Sequence, residues 1–312
     1  MEDAPLYSEV AKGPDGGQGF WTRTDDGVRL RLGYWPTVKA RGTVLLFPGR
    51  SEYVEKYGTT ARDLAVMGYS TLTIDWRGQG LSDRACDNKM VGHVRNFAEY
   101  QLDIATMLRA VEMLDMPKPL YLLSHSMGGC IALRALHTGL PVQAAAFSAP
   151  MWGILIAPSL RPLAWISSWL SHHATHGCKL APGTAIETYV KTAPFEDNQL
   201  TTDREMYELM QYQASQHPEL TLGGPSMSWL YAALTETRAL SRLPAPDYPI
   251  ETFLGTHERI VDPDPVHAIM ARWGDKGCLR LVDGAEHEIL MERPETRASV
   301  YARLEILFSA HS

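Results

Sequence analysis

Leu120-Tyr121-Leu122-Leu123-Ser124-His125-Ser126-Met127-Gly128-Gly129-Cys130 opens as an apolar run, passes through small and polar residues, and leads into Ile131 to Leu136. The apolar run reads as a strand buried on both faces, and the stretch from Cys130 to Leu136 reads as a helix. A serine between strand and helix, with small residues two positions to either side, marks a sharp turn that lifts a hydroxyl off the sheet edge. Ser124 and Gly128 take those places around Ser126. Ser124 is the weaker candidate for the raised hydroxyl, because its own flanks are Leu122 and Ser126. A serine in an ordinary tight turn would show the same string, so the surroundings must decide.

Those surroundings alternate strand and helix signals. Thr43 to Phe47 is a continuous apolar run ending at Pro48-Gly49, and Ser70 to Ile74 is a second β-rich run, with a helical stretch from Ala61 to Met67 between them. Phe97, Tyr100, Ile104, Leu108, Val111 and Leu114 recur at spacings of three and four, which places them on one helix face. Ala144 to Phe147 is the strand after the Ser126 turn. Nearer the start, Trp21 to Thr24 and Val28 to Leu32 flank Asp26-Gly27, a strong hairpin signal. Such alternation predicts an α/β fold: a mostly parallel central sheet with helices on both faces. The pattern stops at Pro150 and resumes with Ile250 to Leu254, a helix near Val266 to Trp273, a strand Leu279 to Val282 and a last helix carrying Val300, Leu304 and Leu307. Residues 1–150 and 241–312 therefore read as one core, and 151–240 as an inserted helical cap.

The chain has 312 residues, enough for one large core. With 45% hydrophobic and 21% charged residues it reads as globular. Its net charge of −7 and its lack of a basic run argue against nucleic acid as a partner. Met1 to Ser8 carries acidic residues where a secretory signal would be positive, and Gly153 to Leu170 is broken by Pro158, Arg161 and Pro162. The expectation is a cytoplasmic protein that touches the inner face of a membrane at most peripherally. Cys86, Cys130, Cys178 and Cys278 lie far apart without a C-x-x-C pair, and are expected to be buried thiols in a reducing compartment.

A serine hydroxyl is a poor nucleophile at neutral pH. It needs a base within hydrogen-bond reach and a carboxylate to orient that base. On a fold with this elbow the partners follow in the order acid, then histidine, each on a loop after a strand. Glu258 follows the strand Ile250 to Leu254, and His287 follows Leu279 to Val282. Of the eleven histidines, His287 alone stands in a glycine-bearing turn after a late strand. Asp262, four residues past Glu258, remains an alternative acid. Charge developing on a substrate carbonyl needs N–H donors, and the template points to Met127 after the serine and Arg50 after Pro48-Gly49.

These segments resemble the monoacylglycerol lipase and lysophospholipase group of α/β-hydrolases. The similarity runs through Phe47-Pro48-Gly49-Arg50-Ser51-Glu52 with Lys56-Tyr57, Asp75-Trp76-Arg77-Gly78-Gln79-Gly80-Leu81-Ser82, Ser124 to Gly129, Gly255 to Asp262 and Gly284 to His287. Pro218-Glu219-Leu220, Gly223-Gly224-Pro225 and Trp229-Leu230 also resemble bacterial lysophospholipases. There are two departures: Pro48-Gly49 where many members have His-Gly, a form seen in the lysophospholipase branch, and Glu258 in place of the more usual Asp. The resemblance implies the α/β-hydrolase fold and hydrolysis of a carboxylic ester bearing one acyl chain, such as a lysophospholipid or monoacylglycerol, with no metal or organic cofactor. A thioesterase, a small-ester carboxylesterase, an aminopeptidase and a non-catalytic scaffold relative share that fold and remain open.

Trp152, Ile154, Leu155, Ile156, Leu160, Leu163, Trp165, Ile166 and Trp169 are expected to line an acyl pocket. His172, His173, His176 and Cys178, with His172 and His176 one helical turn apart, could bind zinc, but with no carboxylate in the cluster they read as a solvated cap segment. Arg77 and Asp83 belong to a glycine-rich structural turn. The Arg50 guanidinium would suit a phosphate. A surface ion pair is its expected use.

Overall fold

A computed structural model describes residues 1–174 and 177–312. Its strands are β1 (Glu2–Ala4), β2 (Gln18–Arg23), β3 (Arg29–Trp35), β4 (Thr43–Phe47), β5 (Ser70–Asp75), β6 (Leu120–His125), β7 (Ala145–Ser148), β8 (Ile250–Gly255) and β9 (Gly277–Val282). Its helices are α1 (Ser8–Ala11), α2 (Gly58–Val66), α3 (Glu99–Met113), α4 (Met127–His137), α5 (Arg161–His173), α6 (Tyr189–Thr192), α7 (Arg204–Gln216), α8 (Met227–Leu240), α9 (Pro263–Trp273) and α10 (Pro294–Ser309).

The described strands form one sheet in the order β1-β2-β3-β5-β4-β6-β7-β8-β9. The first three are antiparallel, with Gly27 at φ 88° turning the β2–β3 hairpin, and β3 meets β5 antiparallel. From β5 to β9 every pairing is parallel. The period of two along β4 divides the core. Leu45 and Phe47 face a cluster with Ile104 of α3, Ile131 of α4 and Val266 of α9. Val44 and Leu46 face another with Leu64 of α2 and Leu304 of α10. The sheet is therefore covered on both faces, as its nearly all-apolar central strands require. β4, β6, β7 and β8 lie side by side, so the loops leaving their C-terminal ends converge.

Between β7 and β8 the described residues form helices and no strand. Trp229, Ala232, Ala233 and Leu240 of α8 belong to the same cluster as the sheet, so this helix closes one face of the core. α5 lies outside α8, with its outer face open. Most of the residues expected to line an acyl pocket therefore do something else. Trp152 is buried in the core, its Nε1 donating to Gly129 O at 3.1 Å, and Leu155, Leu160, Leu163, Ile166 and Trp169 are exposed. Of the whole group, Ile154 lines the cavity described below. Their apolar character suits a pocket wall, but the sequence does not say which of these side chains face the protein and which face outward.

The cysteines also depart from expectation. Cys86 and Cys178 form a disulfide, with Cα atoms 5.9 Å apart, while Cys130 and Cys278 are free. Bridges from Gly92 to Pro225 and from Leu180 to Ser226 lay the loop after β5 against the segment after α5. Tertiary contact between segments 92 residues apart pairs the two sulfurs, and spacing along the chain cannot reveal it. Cysteine usage thus gives no support to a reducing compartment. No described helix is long and apolar enough to cross a membrane.

Candidate active site

β6 passes into α4 through Ser126, whose backbone sits at φ 50°, ψ −118°, a conformation that costs roughly 1–3 kcal/mol outside glycine. Packing holds it there. Ser126 N donates to Ser148 O at 3.0 Å, and Ser126 O accepts from Gly129 N and Met151 N, each at 2.9 Å. The small residue at 128 is obligatory, since a Cβ there would fall 2.1 Å from Phe47 O. α4 begins at Met127, well before the Cys130 start read from the sequence, because the turn itself launches the helix.

Glu258 and His287 come from the loops after β8 and β9. His287 Nδ1 lies 2.7 Å from Glu258 Oε2, and both side chains are buried. Glu258 Oε1 accepts from Ile260 N at 2.7 Å and Val261 N at 3.0 Å. Burial pushes the Glu258 carboxyl up, but the charge and hydrogen bond of His287 and these two N–H groups together hold it below the ordinary carboxylate value. Asp262, the alternative acid, is engaged elsewhere: it caps α9 by accepting from Asp264 N at 3.2 Å and pairs with Arg161 at 3.1 Å. The contact with Glu258 leaves the Nε2 side of His287 unengaged by the acid. Ser126 and His287 line one cavity of about 510 Å³.

The loop after β4 is held from beneath. Gln79 Oε1 accepts from Ser51 N at 3.1 Å, and Gln79 Nε2 donates to Gly49 O at 3.0 Å. Asp75 Oδ1 accepts from Val54 N at 2.8 Å, and Arg31, fully buried, bridges Asp75 to Glu55 at 2.7 Å on each side. Gly49 N donates to Glu52. Among the described residues Arg50 N has no acceptor, and Met127 N, at the start of α4, is one of the four N–H groups a helix leaves unpaired. The glycine-rich turn around Arg77 is structural as read: Arg77 pairs with Asp26, Glu99 and Asp103. The neighbouring Asp75 and Gln79 tie that turn to the Arg50 loop.

His172 Nδ1 lies 3.2 Å from Ser228 Oγ, His173 Nδ1 lies 2.9 Å from Trp169 O, and Cys178 is bonded to Cys86. His176, the remaining member of the considered zinc set, lies outside the described residues. Arg50 makes no ion pair among the described residues, contrary to expectation. Its side chain turns inward, Nη1 donating to Gly223 O at 2.7 Å.

Sequence reasoning passed over a buried charge cluster under the site. Lys56 Nζ bonds Glu52, and also Glu288 at 2.6 Å. His125 Nε2 lies 3.3 Å from Glu288 Oε2 and 3.6 Å from Glu52 Oε1, while its ring packs on that of His287 at 4.8 Å between centroids. His125 Nδ1 faces Ser148 O at 3.1 Å. The available signals are Glu52 and Lys56 at i, i+4 and a histidine beside the serine. Burial pushes His125 down, but Glu288 and Glu52 outweigh it and raise its pKa above 6.5. Stabilisation tied to this proton is therefore complete below the unfolded value and is lost as pH rises through the folded one. The stability gap between wild type and His125→Gln, read by urea unfolding, should shrink as pH rises from about 6 into the alkaline range. A gap that widens over that range contradicts a charged His125.

Residues 38–294 match the family described as serine aminopeptidase, S33. Lysophospholipase L2 of Escherichia coli (strain K12) is 29% identical over 309 aligned residues, covering 94% of this chain and 90% of that protein. The probable lysophospholipase L2 of Haemophilus influenzae is 29% identical over 267 residues, covering 85% and 83%. A solved structure of a soluble variant of monoglyceride lipase from Saccharomyces cerevisiae, in complex with a substrate analog, superposes with a TM-score of 0.72 at 19% identity, over 94% of this chain and 95% of that one. The last likeness concerns the fold. With a family match that spans both halves of the sheet and the Ser126 turn, the chain belongs to the serine aminopeptidase S33 family of α/β-hydrolases and is a serine hydrolase.

Proposed function

We propose that the enzyme hydrolyses the carboxylic ester of a single-acyl lipid, a lysophospholipid or monoacylglycerol, through Ser126, His287 and Glu258. The observation that carries this reading is the strained Ser126 in one cavity with a histidine whose far nitrogen is held by a buried carboxylate. His287 Nε2 takes the Ser126 proton as Oγ attacks the ester carbon, and Glu258 keeps the proton on Nδ1. The N–H groups of Arg50 and Met127 receive the developing oxyanion, each such donor being worth ~10²–10³ in rate. His287 then protonates the departing glycerol oxygen, and a water that it deprotonates frees the fatty acid from Ser126.

The chain-binding part of the proposal rests on the cavity. Tyr53, Met151, Ile154, Val190, Met210 and Val261 are among its walls, and its volume falls within the range of pockets that enclose small ligands. The segment 151–240 acts here as a cap, since Val190, Leu200 and Met210 reach the cavity from it. Relatives named lysophospholipase support the same substrate class.

We also assign the outer face of α5 to a lipid surface. Leu163, Ile166 and Leu170 follow one another at helical spacing and are all more than half exposed, with Leu160 and Trp169 beside them. A net charge of −7 makes the contact apolar rather than electrostatic. Replacing both Leu163 and Ile166 by Glu removes ~1.5–3 kcal/mol of burial for each side chain, and should lower co-sedimentation with neutral phosphatidylcholine vesicles. Unchanged sedimentation refutes the contact.

For the reaction, Ser126→Ala should abolish turnover across a panel of 1-acylglycerols, lysophospholipids, acyl-CoA, p-nitrophenyl esters and an aminoacyl p-nitroanilide. Wild type should favour the first two. Preference for acyl-CoA or the anilide would replace this reading with a thioesterase or an aminopeptidase.

A further inference from the structure

Four other buried or half-buried cations in this fold are satisfied. Arg31 has Asp75 and Glu55, Lys56 has Glu52 and Glu288, and Arg77 has three carboxylates. Arg84 has no carboxylate partner among the described residues, but its guanidinium donates to the carbonyls of Gly80, Lys89, Glu219 and Thr221. Arg50 differs. Its five N–H donors find one acceptor among the described residues, Gly223 O, and its Cζ stands 5.8 Å from the Trp229 ring centroid. The nearby Glu52 is taken up by Lys56, Tyr57 and Gly49 N.

A guanidinium set in protein without a counter-ion is costly, and the cost is recovered when an anion arrives. Burial pushes the Arg50 pKa down to about 10, with Tyr100 and Glu52 pulling it the other way, so the group stays charged at neutral pH. It keeps some accessible surface and lines the cavity that holds Ser126. The backbone next to it comes close to the serine: a Cβ on Gly49 would stand 3.1 Å from Ser126 Cβ.

We propose that the Arg50 guanidinium binds the phosphate of a lipid headgroup and so selects single-acyl phospholipids over uncharged acylglycerols. This rests on the ester-hydrolase reading above. The N–H of Arg50 serves the ester carbonyl in that reading, and its guanidinium lies one side-chain length away. A three-carbon glycerol likewise separates the ester from the phosphate in a lysophospholipid. The Trp229 ring borders the fork at 5.8 Å from Cζ, and the remaining donors are offered to phosphate oxygens.

The test compares kcat/KM for a 1-acylglycerol and for the 1-acyl-glycerol 3-phosphate of the same chain, in wild type, R50K and R50M. Loss of charge-assisted hydrogen bonds should cost R50M about 10- to 100-fold more on the phospholipid than on the acylglycerol, chiefly in KM. R50K, which keeps the charge and loses the fork, should fall between. If R50M fails to fold, the ratio in R50K carries the test. A ratio that neither variant moves, in an enzyme active on both lipids, overturns the assignment alone. A wild type inert on both lipids but active on other esters overturns the lipid reading itself. Glycerol 3-phosphate inhibition that R50M abolishes, with the lipid ratio unmoved, would mean a free-phosphate site and would also overturn the assignment.

Discussion

The backbone of Ser126, held at φ 50° and ψ −118°, is the constraint on which the rest of this structure depends. A serine gains nothing locally from that conformation. It persists because its three backbone hydrogen bonds are made by elements that the sheet has already fixed, Ser148 at the end of β7, Gly129 in α4 and Met151 beyond β7, while Phe47 at the end of β4 crowds the place where a Cβ on residue 128 would stand. The register that pairs Phe47 with Ser124 and His125 with Ser148 brings those elements level. Strain at one residue is thus sustained by the packing of the parallel sheet.

The same logic extends outward in layers. Arg31, Asp75 and Glu55 form a fully buried ion triad beneath the loop after β4. Removing one member would leave the others uncompensated, typically at ~3–5 kcal/mol. The triad and Gln79 orient Gly49, Arg50 and Ser51, and leave the Arg50 N–H without an acceptor among the described residues. On the other side, residues between β7 and β8 grip the histidine loop: Glu288 N donates to Leu200 O at 2.7 Å, and Thr201 Oγ1 donates to Met291 O at 2.7 Å. The sheet and this segment thus share the task of holding His287.

What could be read from the sequence follows from where the information lies. The β4, β6 and β8 strands and the Ser126 turn are local patterns of apolar periodicity and small residues, and each is found where the pattern put it. Glu258 and His287 were reachable because their places after strands are also local. Three things were not. The Cys86–Cys178 pair depends on a tertiary contact between distant loops. The outward face of α5 depends on which side α8 covers, and amphipathic spacing alone does not tell a pocket wall from an open surface. The Glu52, Lys56, His125 and Glu288 cluster consists of charged residues, which composition assigns to solvent. Here they are buried because each satisfies another.

The central claim is that Ser126 is the group that attacks. It is tested most directly by treating the protein with a fluorophosphonate, digesting it and mapping the adduct by mass spectrometry. The account predicts one phosphonyl group per chain, on the peptide that contains Ser126, with fragment ions placing it on that residue rather than on Ser124. An adduct on Ser124 or elsewhere, or a chain that takes up none while it hydrolyses esters, would contradict it.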